Sequence, residues 1–254
     1  MIQMKLDVKK HYKKIIVISL AVILVGTIIG ALIYLSRAYP PMTEALEVLE
    51  SGDDITVTQT KNWIVFEPKN KTNEMAVIFY PGGNVEPEAY AIINREIAKQ
   101  GYLVIIVKMP FDLAVFAPKK GRKVMEQYPE IISWTIVGHS LGGSMAAKFV
   151  YNSPNSFTNL VLLAAYPAKS NNLSMSNINV LSIYGELDGV LNQPIPDTLD
   201  LLPVNKTTVL EIEGGNHAYF GSYGEQKGDN PATISRADQQ NQTVATILDF
   251  LGSI

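Results

Sequence analysis

Hydrophobic and polar positions follow three regimes along the chain. From Ile15 to Leu35 no charge interrupts an apolar run. Ile55–Gln59 and Trp63–Phe66 alternate apolar with polar, the period of antiparallel strands at a sheet edge. Met75–Tyr80 and Tyr102–Val107 are more continuously apolar, as strands covered on both faces are. Trp134–Val137, Asn159–Leu163, Val180–Tyr184 and Thr207–Ile212 also read as strands. Helical spacing appears over 43–51, stopped by Ser51-Gly52, and over Ala89–Gln100 through Ile92, Ile93, Ile97 and Ala98, closed by Gly101. Further helices are predicted at Lys119–Tyr128, Gly142–Tyr151 and Ser235–Leu251. Strands alternating with helices imply right-handed crossovers and a mostly parallel sheet. No repeat, low-complexity tract or second-domain boundary interrupts the pattern.

The first regime changes the picture most. Roughly 20 residues rising about 1.5 Å each cross a hydrocarbon core of about 30 Å. Lys9, Lys10, Lys13 and Lys14 precede the run and Arg37 alone follows closely, which predicts an N-terminus in the cytoplasm and the remainder outside. A cleaved signal peptide is the main alternative, but its apolar region is usually about 7–15 residues. A buried core helix is the other. The expected organisation is a basic tail at 1–14, a transmembrane signal-anchor helix at 15–35, a linker at 36–42 stiffened by Pro40-Pro41, and a single α/β domain at 43–254.

The 254 residues suit one soluble domain plus an appendage, and the apolar fraction of 47% allows a sizeable core. Of 21 basic and 24 acidic side chains, six and one fall in residues 1–37, which leaves 15 against 23 and a net charge of −8 for the rest. An acidic domain without a basic stripe argues against nucleic-acid binding. The absence of cysteine removes disulfides, thiolate nucleophiles and Cys-ligated metals. Oligomeric state leaves no trace in the sequence.

Gly138-His139-Ser140-Leu141-Gly142 matches G-x-S-x-G between a predicted strand and a predicted helix. A serine on so tight a turn exposes its Oγ, and the residues two before and two after must be small to avoid collision. Ser140 is therefore the candidate nucleophile, and the Leu141 N–H a candidate oxyanion donor. A second donor is expected from the turn Pro81-Gly82-Gly83-Asn84, with Gly83 favoured and Asn84 next. The hydroxyl needs a base. Of three histidines, His11 precedes the apolar run and His139 lies inside the elbow, so His217 remains, in a Gly-rich loop after the last strand. Its carboxylate partner is expected between 140 and 217. Asp188, just past Val180–Tyr184, is favoured, Glu186 is a close rival, and Asp197, Asp200, Glu211 and Glu213 are further candidates.

On these residues the chain resembles the α/β-hydrolase superfamily, and more closely the bacterial alpha/beta hydrolase fold-5 group. The resemblance covers most of 55–252 and includes Phe79-Tyr80-Pro81-Gly82-Gly83-Asn84-Val85-Glu86-Pro87, residues 107–116, the elbow, Tyr184-Gly185-Glu186-Leu187-Asp188-Gly189 and Gly214-Gly215-Asn216-His217-Ala218-Tyr219-Phe220-Gly221. It implies a parallel sheet with helices on both faces and Ser140, Asp188 and His217 as nucleophile, acid and base. Many relatives insert a lid after the strand matching Asn159–Leu163, but the stretch to the next strand here is too short for a helical cap. An open site walled by Phe111, Phe116, His139 and Tyr219 is expected. The expected activity is hydrolysis of a small ester through an acyl-enzyme, with no metal or cofactor. An amidase or peptidase, a cell-envelope acyltransferase, or a non-catalytic binding protein on the same scaffold are the alternatives.

Overall fold

The computed structural model describes residues 2–35, 38–70 and 74–252, which divide into two units, 1–37 and 38–254. In the first, one α-helix, α1, runs over Ile2–Leu35. It contains the span His11–Ala31, whose mean hydropathy of 2.5 and length suffice to cross a membrane. The helix extends well before Ile15, because lysines are good helix formers and interrupt the apolar face without breaking the backbone pattern. Ser36 and Arg37, where the linker is expected to begin, lie outside the described residues.

The second unit is built on eight strands: β1 (Ile55–Gln59), β2 (Trp63–Pro68), β3 (Met75–Tyr80), β4 (Leu103–Val107), β5 (Ser133–His139), β6 (Asn159–Leu163), β7 (Asn179–Gly185) and β8 (Thr207–Ile212). They form one sheet in the order β1-β2-β4-β3-β5-β6-β7-β8. β2 is antiparallel to both of its neighbours, and all pairs from β4 to β8 are parallel.

Successive side chains on a strand point to opposite faces, so a sheet covered on both sides needs continuous apolar runs. In β3, Val77 and Phe79 enter one core with Ile93 and Ile97 of α3 (Ala91–Lys99) and Ile247 and Leu251 of α6 (Arg236–Gly252). Ala76, Ile78 and Tyr80 enter the other, with Val124 of α4 (Gly121–Gln127) and Ala146, Phe149 and Val150 of α5 (Leu141–Asn152). Each fully buried aliphatic or aromatic side chain contributes roughly 1.5–3 kcal/mol against exposure. A further helix, α2 (Thr43–Glu47), buries Ala45. The predicted helix at 89–100 starts instead as a 3-10 turn over Pro87–Tyr90. Between β6 and β7 the chain makes a three-residue 3-10 turn, Lys169–Asn171, and carries no cap domain.

In a sheet of this connectivity the loops after the parallel strands gather along one edge. The turns after β3, β5, β7 and β8 carry Gly83, Ser140, Asp188 and His217, which the topology therefore brings to the same rim.

Candidate active site

Ser140 stands between β5 and α5 with φ 51° and ψ −122°, a left-handed-side conformation that non-glycine residues rarely adopt. Its neighbours explain how so sharp a turn fits. A Cβ on Gly138 would lie 2.6 Å from Gly143 Cα, and one on Gly142 would run into the carbonyl oxygens of Tyr80 and Pro81. The Ser140 N–H donates to the Leu163 carbonyl at 2.9 Å, which fastens the elbow to the end of β6.

His217 opens the 3-10 turn Ala218–Phe220, and its ring is fully buried. Nδ1 lies 2.7 Å from Asp188 Oδ2, itself only 5% exposed. Asp188 Oδ1 accepts the N–H groups of Val190 (2.9 Å) and Leu191 (3.0 Å). With a carboxylate acceptor at Nδ1, that nitrogen carries the proton and Nε2 keeps its lone pair. Nε2 is buried and has no hydrogen-bond partner among the described residues, Ser140 Oγ included. The two loops are nonetheless adjacent: the ring of His139, the residue before Ser140, stands 4.7 Å from that of His217.

The other acids sit elsewhere. Glu186 Oε2 accepts the Gly214 N–H at 2.8 Å, and Glu211 Oε2 accepts the Tyr184 hydroxyl at 2.6 Å. Burial and that carboxylate push the Tyr184 hydroxyl up to about 12. Asp197 and Asp200 lie in the 3-10 segment Ile195–Leu201.

At the oxyanion side, a Cβ on Gly83 would lie 2.8 Å from Leu141 Cδ2, so the Leu141 side chain packs against the turn that bears Gly83. Neither the Gly83 nor the Leu141 N–H has a partner among the described residues. Asn84 departs from expectation. Its N–H donates to the Asp112 carbonyl at 2.9 Å and its φ is 56°, so that donor is spent on holding the turn.

His139 departs too. It is 1% exposed, and both ring nitrogens are engaged by the protein. Nε2 lies 3.1 Å from the His217 carbonyl, which only accepts, so Nε2 carries the proton. Nδ1 then accepts from the Tyr90 hydroxyl at 2.8 Å, whose oxygen accepts the Gly82 N–H at 3.0 Å. This chain ties the oxyanion turn, the elbow and the His217 loop together, and leaves His139 no nitrogen for a ligand. Burial, then the neighbouring His217, hold the His139 pKa well below the ordinary 6.5.

Phe111 and Phe116 are exposed and meet edge to face at 5.7 Å. Tyr219 points to α6, with the Arg236 guanidinium 4.3 Å over its ring and its hydroxyl donating to Glu225 at 3.1 Å.

Sequence reasoning missed Asp229. Its Oδ1 accepts from Gly189 (3.0 Å) and His217 (3.3 Å), and Oδ2 from Ala218 (2.8 Å), so one carboxylate joins the acid and base loops. Gln239 of α6 likewise accepts from Asn216 N–H (3.0 Å) and donates to Asn216 O (2.8 Å). The loop around His217 reads as flexible from its glycines, yet these bonds pin it. Asp229 falls after His217, outside the window searched for the acid, and its loop sequence Gly228-Asp229-Asn230-Pro231 signals only a turn.

Among the described residues no group of three or more His, Asp or Glu side chains is arranged to hold a metal ion. A model of the Alpha/beta hydrolase family matches residues 76–241. No curated protein matches the chain. Similar solved structures include carboxylesterase CesB (YbfK) from Bacillus subtilis, 11% identical with a TM-score of 0.58 over 87% of this chain and 98% of that one. Est1E from Butyrivibrio proteoclasticus is 10% identical, with a TM-score of 0.57 over 79% of this chain and 100% of that one. MenH from S. aureus is 14% identical, with a TM-score of 0.57 over 76% of this chain and 99% of that one. At such identities the likeness is one of fold.

Proposed function

Because the chain belongs to the alpha/beta hydrolase family, we propose that it is a serine hydrolase of carboxylic esters, with Ser140 as nucleophile, His217 as base and Asp188 as the acid that orients it. The observation that carries this reading is the buried His217–Asp188 pair at 2.7 Å, whose Nε2 has no partner among the described residues and whose loop adjoins the elbow that bears Ser140. A buried nitrogen left unpaired costs about 1–3 kcal/mol, an expense that a proton-accepting role explains.

Catalytic hydrogen bonds commonly tighten only when substrate is bound, and the Ser140 hydroxyl turns to Nε2 at that stage. Its oxygen attacks the ester carbonyl carbon while the proton passes to Nε2. The carbonyl oxygen, now negative, accepts from the Gly83 and Leu141 N–H groups; each such donor is worth about 2.7–4 kcal/mol. The His217 imidazolium, stabilised by Asp188, protonates the leaving alcohol as the C–O bond breaks. Water then repeats the sequence on the acyl-enzyme and regenerates Ser140. CesB is named a carboxylesterase, which favours esters over amides.

Residues 15–35 act as an uncleaved anchor with the tail 1–14 in the cytoplasm, and 36–42 link it to an extracytoplasmic catalytic domain over 43–254. The span His11–Ala31 supports the anchor, and the lysines before it the orientation.

The test is hydrolysis of p-nitrophenyl acetate by the full chain and by Ser140→Ala, beside the matching anilide. Ester turnover that Ser140→Ala abolishes is the expected result. Undiminished turnover in the variant refutes the nucleophile, and faster cleavage of the anilide refutes the ester preference.

A further inference from the structure

Two features of the second unit remain without a role. The first is an exposed apolar tip. Phe111, Val115 and Phe116 are 56%, 44% and 55% exposed. Phe111 and Asp112 are consecutive left-handed residues, φ 54° and 52°, a strained bend at which the Phe111 ring is exposed. The second is a cavity of about 740 Å³ lined by Lys119, Lys120, Lys123, Lys148, Asn62 and Asn152. No carboxylate lines it, and among the described residues none of the four amines has an ion-pair partner. Lys108 close by is already paired with Glu88 at 2.6 Å. The Lys120 amine donates to the Lys108 carbonyl, and desolvation, then the neighbouring Lys123, lower its pKa.

These features adjoin. Pro110 and Pro118, at the two ends of the aromatic segment, both line the cavity. A domain carrying −8 should repel anions, and this face gathers four of its 15 cations instead. Apolar rings beside snorkelling lysines are the chemistry of a membrane interface, and each lysine near an anionic surface is worth about fivefold in binding.

We infer that this face docks on an anionic lipid surface, with Phe111, Val115 and Phe116 entering the headgroup layer and Lys119, Lys123 and Lys148 meeting lipid phosphates. The inference uses the anchor proposed above only to bring the domain near lipid, and it is independent of the triad. It has a consequence for the site: a Cβ on Gly83 would meet Leu113 of the same segment at 3.3 Å, so the docked face borders the oxyanion turn.

The chain has no cysteine, so single labels are clean. Val115→Cys and, as reference, Met175→Cys (96% exposed, in the loop before β7) carry an environment-sensitive dye on the full chain in proteoliposomes. The vesicles are phosphatidylcholine with or without phosphatidylglycerol and contain nitroxide lipids with shallow labels. The expected result is quenching of the Val115 dye several-fold above that of the Met175 dye, dependent on phosphatidylglycerol and reversed by salt. In the Lys119→Gln/Lys123→Gln background, both exposed positions, the docked-to-free ratio falls on the order of tenfold while soluble-ester hydrolysis is unchanged. A Val115 dye quenched no more than the Met175 dye overturns the docking face. Flotation of the vesicles reads the anchor separately, so a chain that floats with an unquenched Val115 dye refutes this face and leaves the anchor standing.

Discussion

Asp188→Asn probes the geometry more sharply than any deletion. Val190 and Leu191 both donate to Oδ1, so an asparagine keeps its carbonyl oxygen there and places its NH2 where Oδ2 was. That NH2 faces His217 Nδ1 at about hydrogen-bond distance. Two donors cannot share the contact, so His217 switches tautomer and Nε2 becomes the protonated nitrogen. A protonated Nε2 cannot accept from Ser140. In the Ser-His-Asp enzymes that serve as the template, this change lowers kcat about 10⁴-fold, close to 5.4 kcal/mol of barrier. The near-isosteric side chain retains both backbone hydrogen bonds, so the fold should survive with a Tm change of a few degrees. The assay is kcat for p-nitrophenyl acetate on the full chain, with circular dichroism and Tm as controls. A loss below about tenfold in a folded variant would refute the reasoning, because the orienting carboxylate would then have to be another residue.

Asp229→Asn offers an NH2 to one of the backbone donors of Gly189, His217 or Ala218, so both stability, by about 1–3 kcal/mol, and kcat should fall; unchanged kcat with lowered Tm would limit Asp229 to stability. Tyr90→Phe strips the Gly82 N–H and His139 Nδ1 of their shared partner, and should lower kcat with little change in KM because the oxyanion turn loosens; an unaltered kcat would exclude that coupling. His139 adds a pH dependence to stability. Its native pKa is depressed below the unfolded 6.5, so the unfolded chain takes up a proton that the native one does not. Stability from this source is full above that value and falls as pH drops through and below it, by at most about 1.4 kcal/mol per pH unit. Denaturation midpoints between about pH 8 and pH 5 should therefore fall less steeply in His139→Asn than in the parent chain; equal slopes would refute the assignment.

The strands were legible because burial on both faces demands apolar runs such as Met75–Tyr80 and Tyr102–Val107, whose edges the structure moves by a residue at most. The elbow was legible because crowding requires glycine at 138, against the backbone of 142 and 143, at 142, against Tyr80 and Pro81, and at 143, against Ala165 and Gly138. What stayed hidden are polar pairings between distant loops. Tyr90 to His139, Asp229 to Gly189 and Gln239 to Asn216 have no local period, and a tyrosine inside a helical pattern or an aspartate beside a glycine looks ordinary. The loss of Asn84 as a donor depends on where Asp112 places its carbonyl, a matter of tertiary geometry. His139 is the instructive case, since its place in the motif suggests a site wall while its surroundings make it a buried strut.

The central claim is tested most directly by treating the full chain with a fluorophosphonate and mapping the adduct by peptide mass spectrometry. The account predicts a single adduct on Ser140, formed orders of magnitude more slowly in His217→Ala. An adduct on another residue, or none from folded protein, would contradict it.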